Sequence, residues 1–250
     1  MGCPVSEAPQ SQTLKATFGL RGLITSGRLR PGERVSELMI ASSLGVSRTP
    51  ARSALMQLKQ EGLLEELPSG GFVVREFAEA DVFDAIEVRG TLEGLAARFA
   101  AERGASPSML AEMEKCILEL DEVVPKLGTA AGSMADFIRL NDRFHDLIVA
   151  CGKSTMIQRS LECVLNLPFA GRRAFVDARA PKLHDLHKTL IAGQAQHHDI
   201  LDAIRNREGT RAQALTLEHA RTAWKYLRLV LEVQDSSKQL PALRLVRRHA

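Results

Sequence analysis

The stretch LGVSRTPARSALMQLKQEGL, residues 44–63, joins the end of one short helical pattern to the start of a second one. Ser47 and Thr49 are both suitable helix caps, and Pro50 follows in the first turn, where its missing N–H costs no hydrogen bond. Small and apolar residues then recur at helical spacing along one face. They are Ala51, Ala54, Leu55 and Leu58. The stretch therefore predicts a helix that begins next to Pro50, ends before Gly62 and packs one face against a partner helix.

The residues on either side of this stretch complete a small module. Upstream, residues 14–26 have helical apolar spacing, and residues 36–45 predict a short helix that Ser36 can cap. The predicted inner face of that short helix consists of Leu38, Ala41 and Leu44. Downstream, two strand-like runs flank a Pro-Ser-Gly-Gly loop at 68–71, which is a hairpin signal. This order of elements predicts a winged helix-turn-helix domain over residues 14–76.

From residue 80 onward the chain shows helical periodicity without strand-like alternation. The periodic segments span about 81–103, 107–124, 134–151, 154–175, 183–206 and 209–233. Helices of roughly 20 residues with short connections are typical of an antiparallel bundle. We therefore expect a mainly α protein, in which an all-α antiparallel bundle of six helices over residues 80–234 follows the winged domain. We expect residues 1–13 to form a flexible arm and residues 235–250 to form a basic flexible tail.

The formal net charge of +3 is distributed very unevenly along the chain. Residues 1–13 carry a net −1, residues 14–75 a net +4, residues 76–235 a net −4 and residues 236–250 a net +4. A basic module joined to a mildly acidic body is typical of a polyanion-binding domain attached to a domain of another function. The low aromatic content of 4% argues against binding of single strands by base stacking.

Composition also narrows the cellular setting. The longest apolar runs are far shorter than the roughly 18 residues that a membrane helix needs, so no membrane partner is expected. The four cysteines show no C-x-x-C spacing and lack the density of a secreted scaffold. We therefore expect a cytoplasmic, nucleoid-associated protein.

The start of the second helix of the pair carries residues suited to reading duplex DNA. Arg48 and Arg52 lie four residues apart and project from one face, opposite the apolar stripe. An arginine can bond O6 and N7 of guanine, and the N-terminal end of a recognition helix enters the major groove. Ser47 and Thr49 add hydroxyl and backbone N–H groups that suit a phosphate.

Two further positions extend this predicted DNA surface. Arg34, just before the first helix of the pair, could reach the phosphate backbone. Gly70, at the tip of the wing, lacks a side chain that would exclude it from a minor groove. The same residues would also suit a solvated arginine face, or a winged module that mediates only protein contacts.

Three motifs in this module resemble the signature of GntR-type transcription regulators. They are LRPGERV at 29–35, LGVSRTPARSAL at 44–55 and EGL at 61–63. The resemblance covers residues 14–75 and implies that operator DNA is contacted by Arg34, Arg48, Thr49, Arg52 and Gly70. The family's wing usually has a basic residue before its glycine, whereas this chain has Ser69. We therefore expect a weaker wing contact here.

Three histidines lie on three different predicted helices of the body: His145, His197 and His219. Asn141 is one turn before His145 and shares its helix face. His197 and His219 flank a predicted turn at 207–209, so antiparallel helices would place them at a similar level of the bundle. Converging imidazoles favour a divalent metal such as Zn, Ni, Mn or Fe. Taken singly, each histidine could instead be an ordinary surface or core residue.

The body resembles the FCD ligand-binding domain of the FadR-like branch of GntR regulators, in its VanR-like subgroup. The matching residues include Arg89-x-x-Leu92-Glu93, Asn141-x-x-Phe144-His145, His197-x-x-Ile200-Leu201 and His219. In many such proteins an Asp one turn before the first histidine joins three histidines at a metal. This chain has Asn141 there, so we expect weaker affinity or a changed metal preference. Arg89 is the candidate counter-charge for an effector carboxylate, and an ion pair to Glu93 is the competing role for it.

Together these features predict a homodimeric transcription regulator that binds a palindromic double-stranded DNA operator. We expect it to repress transcription and to respond to a small organic acid. The metal would assist effector binding. A metal-dependent helical-bundle enzyme is a rival hypothesis, but no Glu-x-x-His pair involves these histidines and H-E-x-x-H is absent. We therefore do not expect an enzyme. Two further hypotheses are a metal sensor without an organic effector and a helical body that only dimerises.

Overall fold

The computed structural model of the protein describes residues 9–129, 132–167, 170, 183–232 and 244–247. The chain forms two compact units. The first comprises Met1–Glu79 together with Pro241–Ala250, and the second comprises Ala80–Leu240. None of the described helices has an apolar stretch of the length that crossing a bilayer requires.

The first unit has the predicted three helices and hairpin together with one further strand, and its three strands form an antiparallel sheet with strand order β1-β3-β2. Its elements are α1 (Pro9–Thr25), β1 (Arg34–Val35), α2 (Glu37–Leu44), α3 (Arg48–Gln60), β2 (Leu64–Glu66) and β3 (Phe72–Val74). The predicted stripe of α3 is fully buried: Ala51, Ala54, Leu55 and Leu58 are all 0% exposed. The winged helix-turn-helix prediction for this unit is therefore confirmed.

The turn between α2 and α3 follows from its local sequence. The hydroxyl of Ser36 accepts a hydrogen bond from the backbone N–H of Met39 at 3.3 Å. Gly45 ends α2 in the left-handed region, with φ of 63°, a conformation that glycine adopts without strain. Ser47 precedes α3 in an extended conformation, and its side chain makes no capping hydrogen bond. Its hydroxyl is therefore not committed to the helix.

The predicted inner face of α2 is wrong at one position. Leu38 is 69% exposed, while Ile40 and Ala41 are buried. Residues two apart on a helix point to nearly opposite sides, so only one of Leu38 and Ile40 can face the core. Packing of α2 against α1 and α3 selects Ile40.

Two other boundaries differ from the sequence prediction. Helix α1 begins at Pro9 rather than at residue 14, because a proline in the first turn costs no hydrogen bond and the following polar residues tolerate a helix. The part of the predicted arm at 9–13 is therefore helical. Strand β1 was not predicted, since two residues are too few to show a periodicity. Arg34 and Val35 pair with Val73 and Phe72 across the sheet.

The described part of the C-terminal segment, residues 244–247, belongs to this first unit. Val246 forms a parallel bridge with Phe77. The backbone N–H of Phe77 donates to the carbonyl of Leu245 at 2.8 Å, and the N–H of Arg247 donates to the carbonyl of Phe77 at 2.7 Å. Leu245 is 1% exposed. For these four residues the prediction of a flexible tail is wrong, because two apolar side chains and a backbone bridge hold them in place.

Replacing Leu245 with alanine is expected to lower the free energy of unfolding of this unit by about 2–4 kcal/mol, because a fully buried leucine is removed. Urea unfolding followed by circular dichroism measures the change. The matched control is Arg247→Ala, which removes an exposed side chain and keeps the backbone bond. If both substitutions had equally negligible effects on the free energy of unfolding, the packing of Leu245 in the core of this unit would be contradicted.

Every regular element in the described residues of the second unit is a helix. Its helices are α4 (Glu79–Arg103), α5 (Pro107–Val123), α6 (Met134–Cys151), α7 (Thr155–Leu165), α8 (Leu183–Arg205) and α9 (Gly209–Leu231), with a 3-10 turn at Val124–Lys126. This agrees with the predicted six-helix body. Helix α7 ends at Leu165 rather than near residue 175, and residues 171–182 lie outside the described residues.

Two glycines of α4 bring this helix very close to α9. A Cβ at Gly90 would lie 2.5 Å from the Cβ of Ala220, and a Cβ at Gly94 would lie 2.9 Å from the carbonyl oxygen of Gln213. Any larger residue would push the helices apart. The close approach carries Arg89 and Glu93, which lie beside these glycines, towards the histidines of the body.

Candidate metal centre and nucleic-acid interface

Three histidines from α6, α8 and α9 meet in the core of the second unit. The Nε2 atom of His219 lies 3.3 Å from Nε2 of His145 and 3.2 Å from Nε2 of His197. The three residues are 3%, 1% and 8% exposed for His145, His197 and His219. Within the described ranges they form the one cluster of at least three His, Cys, Asp or Glu side chains that could hold a metal ion.

The other ring nitrogen of each histidine faces an oxygen atom. Nδ1 of His197 lies 2.9 Å from Oε1 of Gln194, and Nδ1 of His219 lies 3.2 Å from Oε1 of Gln196. Nδ1 of His145 lies 3.2 Å from Oε2 of Glu93, close but not aligned as a hydrogen bond.

Oxygen acceptors favour the protons on Nδ1, and the lone pairs of three Nε2 atoms then point at one another. A metal cation satisfies this arrangement, and acceptors behind ligating imidazoles are the usual outer contacts of a metal site. The three histidines therefore fit a metal ion.

Burial keeps the imidazoles of His197 and His219 neutral. Desolvation, together with the neighbouring His145, lowers the pKa of His219 to about 3. Desolvation and then the nearby His219 and His145 lower the pKa of His197 well below its usual value. Since a metal binds the neutral imidazole, these two histidines have the protonation state that a metal requires at neutral pH.

A small cavity of about 20 Å³ adjoins the histidines. Asn141, 3% exposed, lines it together with His197, His219, Phe137 and Tyr226. This volume admits about one water molecule. The structure therefore brings Asn141 beside two of the three histidines, at a space suited to a single small ligand.

Arg89 and Glu93 are charged residues in the interior of the same unit, with exposures of 5% and 1%. Nη1 of Arg89 donates to the carbonyl of Ala170 at 3.0 Å. Both groups are close enough to affect the pKa of His219, which Glu93 raises and Arg89 lowers. The positive charge of Arg89 therefore lies within electrostatic reach of the histidine cluster.

The predicted DNA-reading residues lie on the surface of the first unit. The side chains of Arg48 and Arg52 are 75% and 72% exposed, and each lies 3.6 Å from a carboxylate oxygen of Glu37. Ser47 and Thr49 are also exposed at the start of α3, whose first turn contains no acidic residue. These four residues form one exposed surface at the N-terminal end of α3.

The remaining two predicted DNA contacts lie on the sheet. Arg34 is exposed on strand β1. Gly70 is exposed at the wing tip with φ of 85°, which is a left-handed conformation that favours glycine. Both positions are accessible to a nucleic-acid backbone.

Sequence reasoning missed the residues that support these sites. It assigned no role to Glu37, although a first-turn acid near two arginines is a signal for ion pairing. Gln194 and Gln196 precede His197 by three and one residues, and a polar residue one turn before a candidate ligand could have indicated a supporting contact. No sequence pattern places Gln196 against His219 or Glu93 against His145, since those contacts join different helices.

Comparison with known protein families gives one match in each unit. The family described as bacterial regulatory proteins, gntR family, matches residues 14–74, and the FCD domain matches residues 84–222. The chain is 29% identical to the uncharacterized HTH-type transcriptional regulator YdhC of Bacillus subtilis, over 85% of this chain and 89% of the relative. It is 27% identical to the HTH-type transcriptional repressor RspR of Escherichia coli, over 80% and 82% of the two chains.

One solved structure extends the comparison to the fold. E. coli McbR/YncC shares 22% identity with this chain and superposes with a TM-score of 0.59, covering 88% of this chain and 99% of that one. At this identity the likeness concerns the fold alone.

Proposed function

The chain belongs to the GntR family of transcriptional regulators and carries an FCD domain, and from this we propose that it binds a palindromic operator as a homodimer. In this proposal it represses transcription until a small organic acid occupies the helical domain. Its matched families and relatives are transcriptional regulators and not enzymes, so the enzyme hypothesis is set aside. The proposed site of action is the nucleoid, in the cytoplasm.

The observation that carries the DNA part of the proposal is the exposed N-terminal surface of α3. Arg48 and Arg52 would read base edges in the major groove, while Ser47 and Thr49 would contact phosphates. Arg34 and Gly70 would contact the flanking backbone and the minor groove. One recognition helix reads only a short site, so a two-fold dimer on a palindrome would supply the required specificity.

The proposed regulatory site is the histidine cluster. Asn141, His145, His197 and His219 would hold a divalent metal, and three nitrogen donors favour Zn or Ni over Mn or Fe. When bound, the metal would supply positive charge and open coordination positions for oxygen ligands. Arg89 would provide a further positive charge for an effector carboxylate. An effector changes DNA affinity only if it binds two states of the protein with different affinity.

The direct test is fluorescence anisotropy with labelled duplexes from the DNA beside the protein's own gene. The proposal expects one palindromic duplex to bind at least about 1,000-fold more tightly than a random duplex of equal length. Adding hydroxy- and keto-carboxylates to the zinc-loaded protein should weaken that binding. Equal affinity for all duplexes would overturn the DNA proposal.

A second candidate function is metal sensing without an organic effector. The small cavity of about 20 Å³ favours it, because this volume accepts a water molecule but no organic acid unless the unit opens. The same anisotropy experiment separates the two functions. A metal sensor would respond to zinc alone and to none of the carboxylates.

Replacing Arg34 with alanine is expected to weaken binding to operator and random DNA alike, because a phosphate contact carries no sequence information. The slope of log affinity against log salt should fall in magnitude by about 1. Anisotropy titrations at several salt concentrations measure it. Arg30→Ala, a nearby exposed arginine with no proposed DNA contact, is the control. A change in preference among operator sequences would contradict a backbone role for Arg34.

Replacing Asn141 with aspartate is expected to tighten metal binding by roughly 10-fold or more, since one charged hydrogen bond or ligand contact is worth about 1.5–3 kcal/mol. The gain in affinity should be greater for Mn than for Zn, because Mn prefers carboxylate ligands whereas Zn is also bound well by imidazole. Competition with a chromophoric chelator measures both affinities. Unchanged affinity for both metals would contradict a place for Asn141 at the metal.

A further inference from the structure

Each histidine of the cluster has an oxygen atom near its Nδ1 atom, and the one near Nδ1 of His197 is held most firmly. It belongs to Gln194, whose other hydrogen bonds extend to a neighbouring helix. Nε2 of Gln194 donates to Oδ1 of Asp121 at 2.8 Å and to the carbonyl of Ile117 at 3.1 Å. Both partners lie on α5, whereas Gln194 and His197 lie on α8. Oε1 of Gln194 faces Nδ1 of His197 at 2.9 Å.

These two bonds determine the orientation of the Gln194 amide. A carboxylate and a backbone carbonyl accept hydrogen bonds and cannot donate them. Turning the amide over would place its oxygen against two acceptors in a residue that is only 6% exposed. Buried unmatched polar atoms cost about 1–3 kcal/mol each. The amide oxygen of Gln194 is therefore held towards His197.

An oxygen acceptor held at Nδ1 determines the tautomer of His197. Nδ1 must carry the proton, which leaves Nε2 with its lone pair directed at Nε2 of His219, 3.2 Å away. We propose that Gln194, anchored by Asp121, is a positioning residue that fixes His197 in the Nδ1–H tautomer and directs its Nε2 towards the metal position. The proposal rests on the metal site proposed above.

The other two histidines have weaker support of this kind. The acceptor at Nδ1 of His219 is Gln196, a half-buried residue at 3.2 Å, where water can bond the amide in either orientation. The acceptor at Nδ1 of His145 is Glu93, in a contact that is not aligned as a hydrogen bond. His197 is therefore the histidine whose metal-binding form is prepared before the metal arrives.

Asp121 is the outer end of this support. Its carboxylate oxygens lie 3.0 and 3.1 Å from Nε2 of His198 as well, and its side chain is 37% exposed. Among the described residues, the side-chain hydrogen bonds of Asp121 are with Gln194 and His198 and not with His197, so Gln194 is the link through which Asp121 would affect the tautomer of His197. This separates positioning from direct contact in the experiment below.

The first variant is Gln194→Met, which keeps a similar volume and removes both amide groups. Long-range ¹H–¹⁵N NMR of the metal-free protein reads the tautomer of His197 without any metal. Wild type should show the Nδ1–H form, and Gln194→Met should show a mixture of tautomers. Zinc affinity, measured by chelator competition, should fall about 10- to 100-fold, as for other residues that support metal ligands.

The second variant is Asp121→Ala, which leaves Gln194 in place but removes the better anchor of its amide. The proposal expects a partial loss of the Nδ1–H form and roughly 2- to 10-fold weaker zinc binding, the equivalent of one hydrogen bond. Asp121→Asn keeps an acceptor oxygen and should stay near wild type. The matched control is Glu114→Ala, which removes a different contact between α5 and α8, the ion pair with Arg205 at 3.3 Å.

Two results would overturn the positioning role. One is a wild-type His197 in the Nε2–H form, or a tautomer that Gln194→Met and Asp121→Ala leave unchanged. The other is an equal loss of zinc affinity in Glu114→Ala, which would indicate general loosening of the α5–α8 contact. If instead the tautomer behaves as expected but wild type binds no zinc, the proposed metal site fails while the role of Gln194 stands.

Discussion

Replacing Arg48 and Arg52 together with alanine is expected to lower operator binding by about 2–6 kcal/mol, which is roughly 30-fold to more than 10,000-fold in affinity. Each arginine can bond one guanine through two N–H groups, and each such pair discriminates by about 1–3 kcal/mol. Both side chains are more than 70% exposed at the N-terminal end of α3, so their removal leaves the core of the unit unchanged.

In the absence of DNA, both arginines lie near the carboxylate of Glu37. It lies 3.6 Å from both guanidinium groups, and exposed ion pairs of this kind contribute less than about 1 kcal/mol. A guanine or a phosphate can therefore displace it at little cost. The carboxylate restricts the two arginines to one side of the helix without competing seriously with DNA.

The measurement is anisotropy with the operator and with a random duplex of equal length. The control is Lys59→Ala, which changes a basic residue at the opposite end of the same helix, where its ammonium pairs with Glu66. The double arginine variant should lose far more affinity for the operator than for random DNA. Equal losses on both duplexes would mean that the arginines act only through charge and do not read bases.

Replacing His219 with alanine is expected to weaken zinc binding at least about 100-fold. Structural zinc sites with four ligands contribute about 10–16 kcal/mol, so the loss of one ligand corresponds to about 3 kcal/mol. His219 is the strongest choice because its Nε2 is the neighbour that His145 and His197 share, at 3.3 and 3.2 Å.

The matched control for this variant is His184→Ala, which removes an exposed histidine on α8. It should bind zinc as wild type does. Chelator competition gives the affinities, and circular dichroism checks that both variants remain helical. Unchanged zinc affinity in His219→Ala would place the metal elsewhere and would contradict the proposed regulatory site.

The same variant separates the two regulatory proposals. If the metal holds an organic acid, His219→Ala should lose the effect of carboxylates on DNA binding together with zinc. If the protein senses the metal itself, the variant should lose only its response to zinc, since wild type would show no carboxylate effect to lose.

Much of the fold could be predicted because its determinants are local. Ser36, Gly45 and Pro50 mark helix ends through bonds that involve residues at most four positions away. The spacing of Ala51, Ala54, Leu55 and Leu58 defines one face of α3 whatever lies opposite it. The split of charge between the basic first module and the acidic body is likewise a property of the sequence alone.

The candidate metal site was predictable only in part. A shared metal site was predicted for His145, His197 and His219 because they are histidines on different helices of one predicted bundle. The resemblance to the FCD domain added Asn141 as a fourth ligand. Their role as ligands remains a proposal, although the distances between the ring nitrogens support it. The acceptors behind the imidazoles could not be predicted, because each depends on the rotation and separation of packed helices.

The sequence by itself determined the order of elements, the two modules and the residues available for DNA and metal. Tertiary structure alone decided that Ile40 rather than Leu38 is buried, that Leu245 and Val246 pack beside Phe77, and that Asp121 reaches Gln194. The physical reason is common to all three cases. Local patterns define which face of an element is apolar or polar, whereas the partner of that face is chosen by contacts between residues distant in the chain, through burial and hydrogen bonding.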